Sequence, residues 1–283
     1  MFEFINALSD PDNEFLRLAL YVGALASLAF GIIGTYVVTR RISYLAGAIA
    51  HCVFGGIGAG LYLQTVVGLK WFDPIYGAIA SAILAAVIIG MVSLYSTQRE
   101  DTVIGALWAV GMAAGLLFVD LTPGYFDISS YLFGDILLLT QRDVWMVAVL
   151  DVVVLALSIY FYNTLLAVCF DDEFAKLRGI PVGPFFILLL CLTALTVVLL
   201  VRMVGIVMVI ALLTLPAAVA GHFSRRLWQM MILAVLFCMA FTWSGLALSY
   251  MYNLSSGPTI IAIAGIMYLT VLIISRNWKK KKR

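Results

Sequence analysis

Charge is scarce in this sequence of 283 residues, of which only 11% are charged and 64% are hydrophobic. A soluble domain of similar size has about 25% charged residues. The apolar residues form long continuous runs, whereas a transmembrane β-barrel would show short segments of alternating polarity. Because a bilayer core about 30 Å thick requires about 20 apolar residues per helix, the sequence predicts an all-α, polytopic membrane protein.

Several kinds of functional motif are also missing. There is no Walker sequence, Rossmann unit or long polar insert, so any ATPase that drives this protein is expected on another chain, and no nucleic-acid partner is expected. The two histidines lie far apart without an HExxH motif, and no serine nucleophile–base pair is evident, which disfavours an intramembrane protease. The four cysteines have no CxxC spacing and predict neither disulfides nor structural zinc.

The apolar runs predict about eight or nine transmembrane helices in a single domain that covers residues 1–283. The boundary between the sixth and seventh spans depends on Arg202 alone, and it is needed because one merged span would be too long for the bilayer. No cleavable signal peptide is expected, since the N-terminus is acidic. The nine predicted spans are 15–38, 44–63, 74–96, 102–119, 143–169, 184–201, 203–221, 227–250 and 258–275.

Lysine and arginine are distributed unevenly between the loops, and this bias predicts the orientation in the membrane. With the C-terminus inside, the inner side carries 13 basic residues and the outer side 4. We therefore predict that the N-terminus is outside and the C-terminus is cytoplasmic. The tail 276–283 contains a lysine run that suits the headgroups of anionic lipids, although a solvated end of the last span explains it equally well.

Two connecting segments depart from the pattern of span and short loop. On the outer side, residues 131–140 are apolar but too short to cross the bilayer, which is typical of a re-entrant or interfacial helix. On the inner side, residues 171–179 predict a short amphipathic helix, with acidic residues first, basic residues last and a glycine at the end. Its apolar pair, Phe174 and Leu177, lies three residues apart and shares a face, which favours docking of a soluble partner over a passive connector.

Three ionisable residues in apolar segments are candidates for a metal pathway, because such residues are expensive in a membrane. His51 lies in the second span, Asp151 in the fifth and Asp135 in the short outer segment. Imidazole and carboxylate groups are suitable ligands for a divalent cation. The alternative is that each forms a hydrogen bond with a neighbouring helix and stabilises the bundle. His222, at a span end beside two arginines, is expected to be interfacial.

Small residues and one proline indicate where helices pack closely or bend. Gly55, Gly56 and Gly60 follow His51 at spacings that allow close approach of another helix. The glycine-rich run superficially resembles a nucleotide-binding fingerprint, but no strand precedes it. Pro216 removes a backbone hydrogen bond late in the seventh span, which predicts a kink with a role in gating or in static packing.

Six further stretches of the sequence are informative as a set: 40–51, 100–105, 132–137, 171–179, 204–206 with 215–218, and 256–260. Together they resemble the zinc/manganese-type metal ABC importer permease family, in the family's order. The resemblance implies a homodimeric permease of the bacterial inner membrane that works with two cytoplasmic ATPase subunits and an extracytoplasmic metal-binding protein. It also implies that 171–179 is the coupling helix, formed by Asp171, Asp172, Glu173, Phe174, Lys176, Leu177, Arg178 and Gly179.

The sequence departs from this family at Gly47, where many members carry an aspartate one helical turn before the histidine. The site therefore offers fewer oxygen ligands, which favours zinc over manganese or iron as the transported substrate, and no permanently bound cofactor is expected. Asp151 or Asp135 would then be the source of a carboxylate. A permease for chelated iron or cobalamin, and a metal transporter that works without ATP, are the alternative functions.

Overall fold

The structure, a computed structural model, describes residues 14–95, 99–124, 132–134 and 141–281, and within these ranges the chain forms helices and no strands. Eleven helices are present in this part of the chain. They are α1 (Glu14–Thr39), α2 (Ser43–Thr65), α3 (Pro74–Tyr95), α4 (Glu100–Asp120), α5 (Gln141–Tyr160), α6 (Tyr162–Phe170), α7 (Asp172–Leu177), α8 (Val182–Val204), α9 (Ile206–Phe223), α10 (Leu227–Tyr252) and α11 (Ser256–Lys281).

Eight of these helices are long and apolar enough to cross a membrane, or nine if α5 and α6 form one span. This confirms the expected number of spans. The fifth predicted span, 143–169, contains a bend that the sequence does not predict, because α5 and α6 meet at an angle of 75°. No proline or glycine breaks the helix at Phe161. Instead, the Phe161 ring packs edge-on against Phe185 of α8 at 5.3 Å, and α6 buries Leu165 and Val168, so tertiary packing overrides helix continuity.

The boundary between the sixth and seventh spans lies at Gly205 rather than at Arg202. Gly205 has φ of 81°, in the left-handed region that residues with a side chain rarely adopt. The described part of the outer segment, residues 132–134, packs into this break. A Cβ atom on Gly205 would lie 2.7 Å from the carbonyl oxygen of Leu132, so the break and the outer segment fit together only with glycine.

The helices form two groups that are joined by α8 and by a contact between α2 and α9. One group contains α2, α3 and α4, which pack against each other. The other contains α1, α9, α10 and α11, with α5 against α1. Helix α8 packs against members of both groups. Consecutive helices α1 and α2 contact each other little, because they belong to different groups. The short turn Arg40–Ile42 therefore connects the two halves of the bundle.

Helix α2 is the most buried of the candidate spans, and its glycines explain how neighbours approach it so closely. A Cβ atom on Gly55 would lie 2.8 Å from the carbonyl oxygen of Gly111 in α4. One on Gly60 would lie 2.7 Å from Cα of Pro74, at the start of α3. Gly56 also packs against α3. Pro216 is buried within α9, which continues from Ile206 to Phe223, and its kink remains a prediction.

Replacing Gly56 with alanine is expected to destabilise the protein by about 1–3 kcal/mol, the usual range for an overpacked core. Its Cβ atom would overlap the carbonyl oxygen of Gly77 and Oγ of Ser81, and the backbone oxygen cannot move without shifting α3. Gly105→Ala is the matched control, because no atom lies within 4 Å of a Cβ atom there. The measurement is the thermal-unfolding midpoint in detergent, and equal midpoints for the two variants would contradict the expected close contact.

Candidate functional site

His51 lies in α2 against α4, where a tryptophan covers its ring. The imidazole stacks on the Trp108 indole with ring centroids 4.6 Å apart and an angle of 29° between the planes. Its Nδ1 atom is buried and has no hydrogen-bond partner among the described residues. A buried ring nitrogen without a partner is unusual in a folded protein.

Trp108 also occupies the space beside Gly47, one turn before His51. A Cβ atom on Gly47 would lie 2.7 Å from Cζ3 and 2.8 Å from Cη2 of the indole. The indole of Trp108 therefore fits in this position only because residue 47 has no side chain. Trp108 remains 37% exposed, so its indole is only partly covered by the bundle while it covers the imidazole of His51.

The face that α2 presents to α4 is regular. Gly47, His51 and Gly55 follow one another at intervals of four residues, and they meet Trp108 and Gly111 on α4. Cys52 reinforces this contact, because its Sγ atom donates to the carbonyl oxygen of Leu107 at 3.4 Å. The close glycine contacts hold the two helices in fixed register, and this register places the indole over the imidazole.

The other two candidate ligands are not assembled with His51 in the described part of the chain. Asp151 is only 3% exposed in α5, which packs against α1 rather than α4. It faces the backbone amide of Ala29, but neither carboxylate oxygen reaches hydrogen-bond geometry with a described residue. Asp135 lies outside the described residues. No group of three or more His, Cys, Asp or Glu side chains among the described residues could hold a metal ion.

A second functional region is the six-residue helix α7, which lies within the segment 171–179. The Asp171 carboxylate accepts hydrogen bonds from the backbone amides of Glu173 and Phe174, both at 3.0 Å, and so caps the N-terminus. At the other end Gly179 has φ of 74°, its amide donates to Lys176, and the next amide donates to Ala175. This pair of hydrogen bonds is the Schellman motif.

Helix α7 has one buried and one exposed side. Ala175 is fully buried with Val168 and Val182, which anchors the helix to the bundle. On the opposite side Leu177 is 88% exposed and Phe174 is 47% exposed, with the Arg178 guanidinium 4.7 Å from the centre of the Phe174 ring. The segment is thus a rigid projection with an apolar, basic outer surface. Such a surface suits a protein partner, since aromatic residues and arginine are enriched at interfaces.

Sequence reasoning missed two residues of these regions, Trp108 and Arg40. Trp108 lies three residues before Gly111 and seven before Gly115, so all three share the helical face that α4 turns towards α2. That spacing could have identified the tryptophan as a neighbour of His51. Arg40 contributes to the charge bias and opens the stretch 40–51, but neither feature predicts that its guanidinium binds the carboxylate of Asp172.

Comparison with known proteins identifies the architecture. The sequence profile of the ABC 3 transport family matches residues 12–275. This chain belongs to the ABC 3 transport family. The resemblance seen in the sequence is thereby confirmed, and the ABC permease fold with it. In this family the ATPase is a separate subunit, so the chain is a transport component and not an enzyme.

Several known proteins resemble the chain over nearly its full length. A membrane protein of Synechocystis is 43% identical over 93% of this chain and 92% of its own. The manganese transport system membrane protein MntC of Halalkalibacterium halodurans is 30% identical, over 95% and 92%. Among solved structures, PsaBC from Streptococcus pneumoniae in complex with Fab matches with a TM-score of 0.86 at 29% identity, covering 99% of both chains.

Proposed function

We propose that this chain is the membrane permease subunit of an ATP-driven ABC importer for a divalent metal ion. The observation that carries the proposal is the likeness, over 95% of the chain, to a manganese transport system membrane protein. The geometry supports it, because the most buried span places an imidazole nitrogen without a partner at the contact between α2 and α4. Asp151 and Asp135 remain candidate ligands for the same ion.

Zinc is the favoured substrate, with manganese and iron as alternatives. Imidazole binds zinc well, whereas manganese prefers sites rich in carboxylate, carbonyl and water oxygens. In this chain the indole of Trp108 occupies the position beside Gly47 that a carboxylate would need. Names of relatives such as MntC favour manganese instead. Measuring which ion is transported therefore tests whether Trp108 takes the place of an oxygen ligand.

Transport is proposed to occur by alternating access in a homodimer in the bacterial cytoplasmic membrane. An extracytoplasmic binding protein delivers the ion from the side of the N-terminus, which the distribution of lysine and arginine places outside. ATPase subunits engage the exposed side of α7, and the basic tail 276–283 lies at the cytoplasmic surface. A weak site at His51 suits this cycle, because an ion that binds too tightly cannot leave.

The two alternative functions make different demands on the protein. A transporter that works without ATP has no use for an exposed, apolar projection such as α7, and membership of a family with separate ATPase subunits disfavours it. A permease for chelated iron or cobalamin needs space for a large organic ligand. The indole stacked on His51 and the glycine contacts between α2 and α4 leave little room there.

ATP hydrolysis by the assembled complex distinguishes these functions. The chain is reconstituted in nanodiscs with its ATPase and binding protein, and hydrolysis is measured with binding protein that is metal-free, zinc-loaded or manganese-loaded. We expect stimulation by a metal-loaded form, stronger with zinc. Stimulation by cobalamin or an iron chelate, with no response to either ion, would contradict the proposal.

Substitution of Leu177 by aspartate is expected to prevent assembly with the ATPase. This side chain is 88% exposed on the outer side of α7, and burying a new charge in an interface without a partner is strongly unfavourable. The measurement is copurification of the ATPase with the permease, where a loss of at least about tenfold is expected, equivalent to 1.4 kcal/mol. Tyr95→Asp serves as control, since Tyr95 is also exposed but ends α3. Equal copurification of both variants would exclude α7 as the docking surface.

A further inference from the structure

Arg40, the residue that follows α1, forms an ion pair with Asp172 of α7. Both amino groups of the Arg40 guanidinium contact the Asp172 carboxylate, with Nη1 2.7 Å from Oδ1 and Nη2 2.6 Å from Oδ2. This is the bidentate fork that gives arginine–carboxylate pairs both strength and a fixed orientation. Asp172 is the first residue of α7, so the pair joins the projecting helix to a segment 132 residues earlier in the chain.

Arg40 also contacts the helices on both sides of α7. Nη1 donates to the backbone carbonyl oxygen of Val168 in α6 at 2.8 Å. The guanidinium carbon lies 5.3 Å from the centre of the Phe186 ring in α8, in a cation–π contact. The arginine is mostly shielded from solvent, with 19% of its side chain exposed, and Asp172 is about one-third exposed with 34%. By contrast, the ion pair Arg99–Asp101 has a distance of 3.8 Å and is highly exposed.

The ion pair between Arg40 and Asp172 matters because of where Arg40 lies in the fold. It begins the turn between α1 and α2, the point at which the chain passes from one group of helices to the other. Helix α2 starts at Ser43 and reaches His51 eight residues later, about 12 Å along the axis. Since α1 and α2 contact each other little, a force on this turn can move one group relative to the other.

We propose that Arg40 and Asp172 are positioning residues that transmit movement of α7 to the base of the His51 helix. This inference rests on the proposed function, in which ATPase subunits engage α7. The bidentate geometry fixes both the distance between the two side chains and their relative orientation. Displacement or rotation of α7 therefore moves the turn between α1 and α2 as well. The inner end of α2 then moves with the ATPase relative to the other helix group, while the site at His51 opens to one side or the other.

Breaking the ion pair between Arg40 and Asp172 is expected to uncouple zinc transport from ATP hydrolysis. The test measures radiolabelled zinc taken up per ATP hydrolysed, in proteoliposomes that contain the chain, its ATPase and its binding protein. Asp172→Asn removes the charge with little change in shape, and Arg40→Ala removes the other partner. We expect zinc transported per ATP hydrolysed to fall about fivefold or more in both variants, the lower end of ordinary couplings between sites.

Two further variants separate coupling from structural support. Arg225→Ala removes an exposed arginine outside this cluster and is expected to leave the ratio of zinc to ATP unchanged. The exchange Arg40→Asp with Asp172→Arg restores an ion pair and is expected to recover part of the ratio. If Arg40→Ala fails to assemble with the ATPase, Asp172→Asn alone decides the question.

The outcomes distinguish this proposal from the function on which it rests. Wild-type complex without ATP-dependent zinc or manganese uptake would overturn the proposed function, and the coupling role with it. Normal wild-type uptake, together with an unchanged ratio in Asp172→Asn, would overturn the coupling role alone. A parallel fall in hydrolysis and uptake at constant ratio would show that the pair only supports the fold.

Discussion

Replacement of His51 by alanine is expected to reduce metal uptake by at least about tenfold while leaving assembly with the ATPase intact. Loss of a residue that merely orients a metal ligand commonly costs about 10–100-fold in affinity or activity, and loss of the ligand itself should cost no less. The ring has a buried Nδ1 without a partner, so removing it leaves no donor or acceptor unsatisfied. The stability of the variant should therefore change less than its transport.

The second histidine of the chain provides a matched control. His222 is exposed near the end of α9, and His222→Ala is expected to transport at the wild-type rate. Uptake of radiolabelled zinc into proteoliposomes is measured for both variants with equal amounts of complex. Undiminished uptake in His51→Ala would remove His51 from the pathway while leaving the family assignment in place. Asp151→Asn in the same assay shows whether the carboxylate of α5 belongs to that pathway.

Gly47→Asp and Trp108→Ala are expected to have strongly non-additive effects on which metal is transported. In Gly47→Asp alone the new side chain meets the indole, whose nearest atoms lie 2.7 and 2.8 Å from the Cβ position. Overpacking of this kind destabilises a protein by about 1–3 kcal/mol, so a lower thermal-unfolding midpoint and poor transport are expected. Trp108→Ala alone should transport with the preference of the wild type, because it adds no ligand.

In the double variant the space vacated by the indole accepts the carboxylate, one turn from His51 on the same face. We expect recovery of the unfolding midpoint relative to Gly47→Asp, and an increase of about tenfold in the ratio of manganese to zinc uptake, which corresponds to 1.4 kcal/mol. An added oxygen ligand favours the harder ion. Strictly additive effects on the midpoint would show that residues 47 and 108 do not share this space. An unchanged metal ratio would show that the carboxylate does not reach the ion.

The fold could be predicted closely because membrane helices can be recognised in a sequence by their length and apolar composition. For example, the predicted span 44–63 corresponds to α2 (Ser43–Thr65), and 227–250 to α10 (Leu227–Tyr252). The bend at Phe161 escaped prediction because it depends on packing with Phe185 and not on a local helix breaker. The break at Gly205 lies three residues beyond the boundary predicted at Arg202, because the helix continues through the charged residue and ends at a glycine in the left-handed region.

The functional site was predicted only in part, for a similar reason. Individual residues that are expensive in a membrane, such as His51 and Asp151, can be recognised from sequence by residue type alone. Which of them face each other depends on how helices pair. The second helix pairs with the fourth through Gly55 and Gly111, which brings Trp108 to His51, whereas Asp151 faces the first helix. Such pairings are long-range contacts that no local pattern in one sequence reveals.

The most direct test of the central claim is uptake of radiolabelled zinc and manganese into proteoliposomes, with and without ATP. One preparation contains this chain with its ATPase and binding protein, and the other contains this chain alone. We expect uptake only in the complete complex, only with ATP, and faster for zinc than for manganese. Uptake of either ion by the chain alone without ATP would contradict the importer assignment.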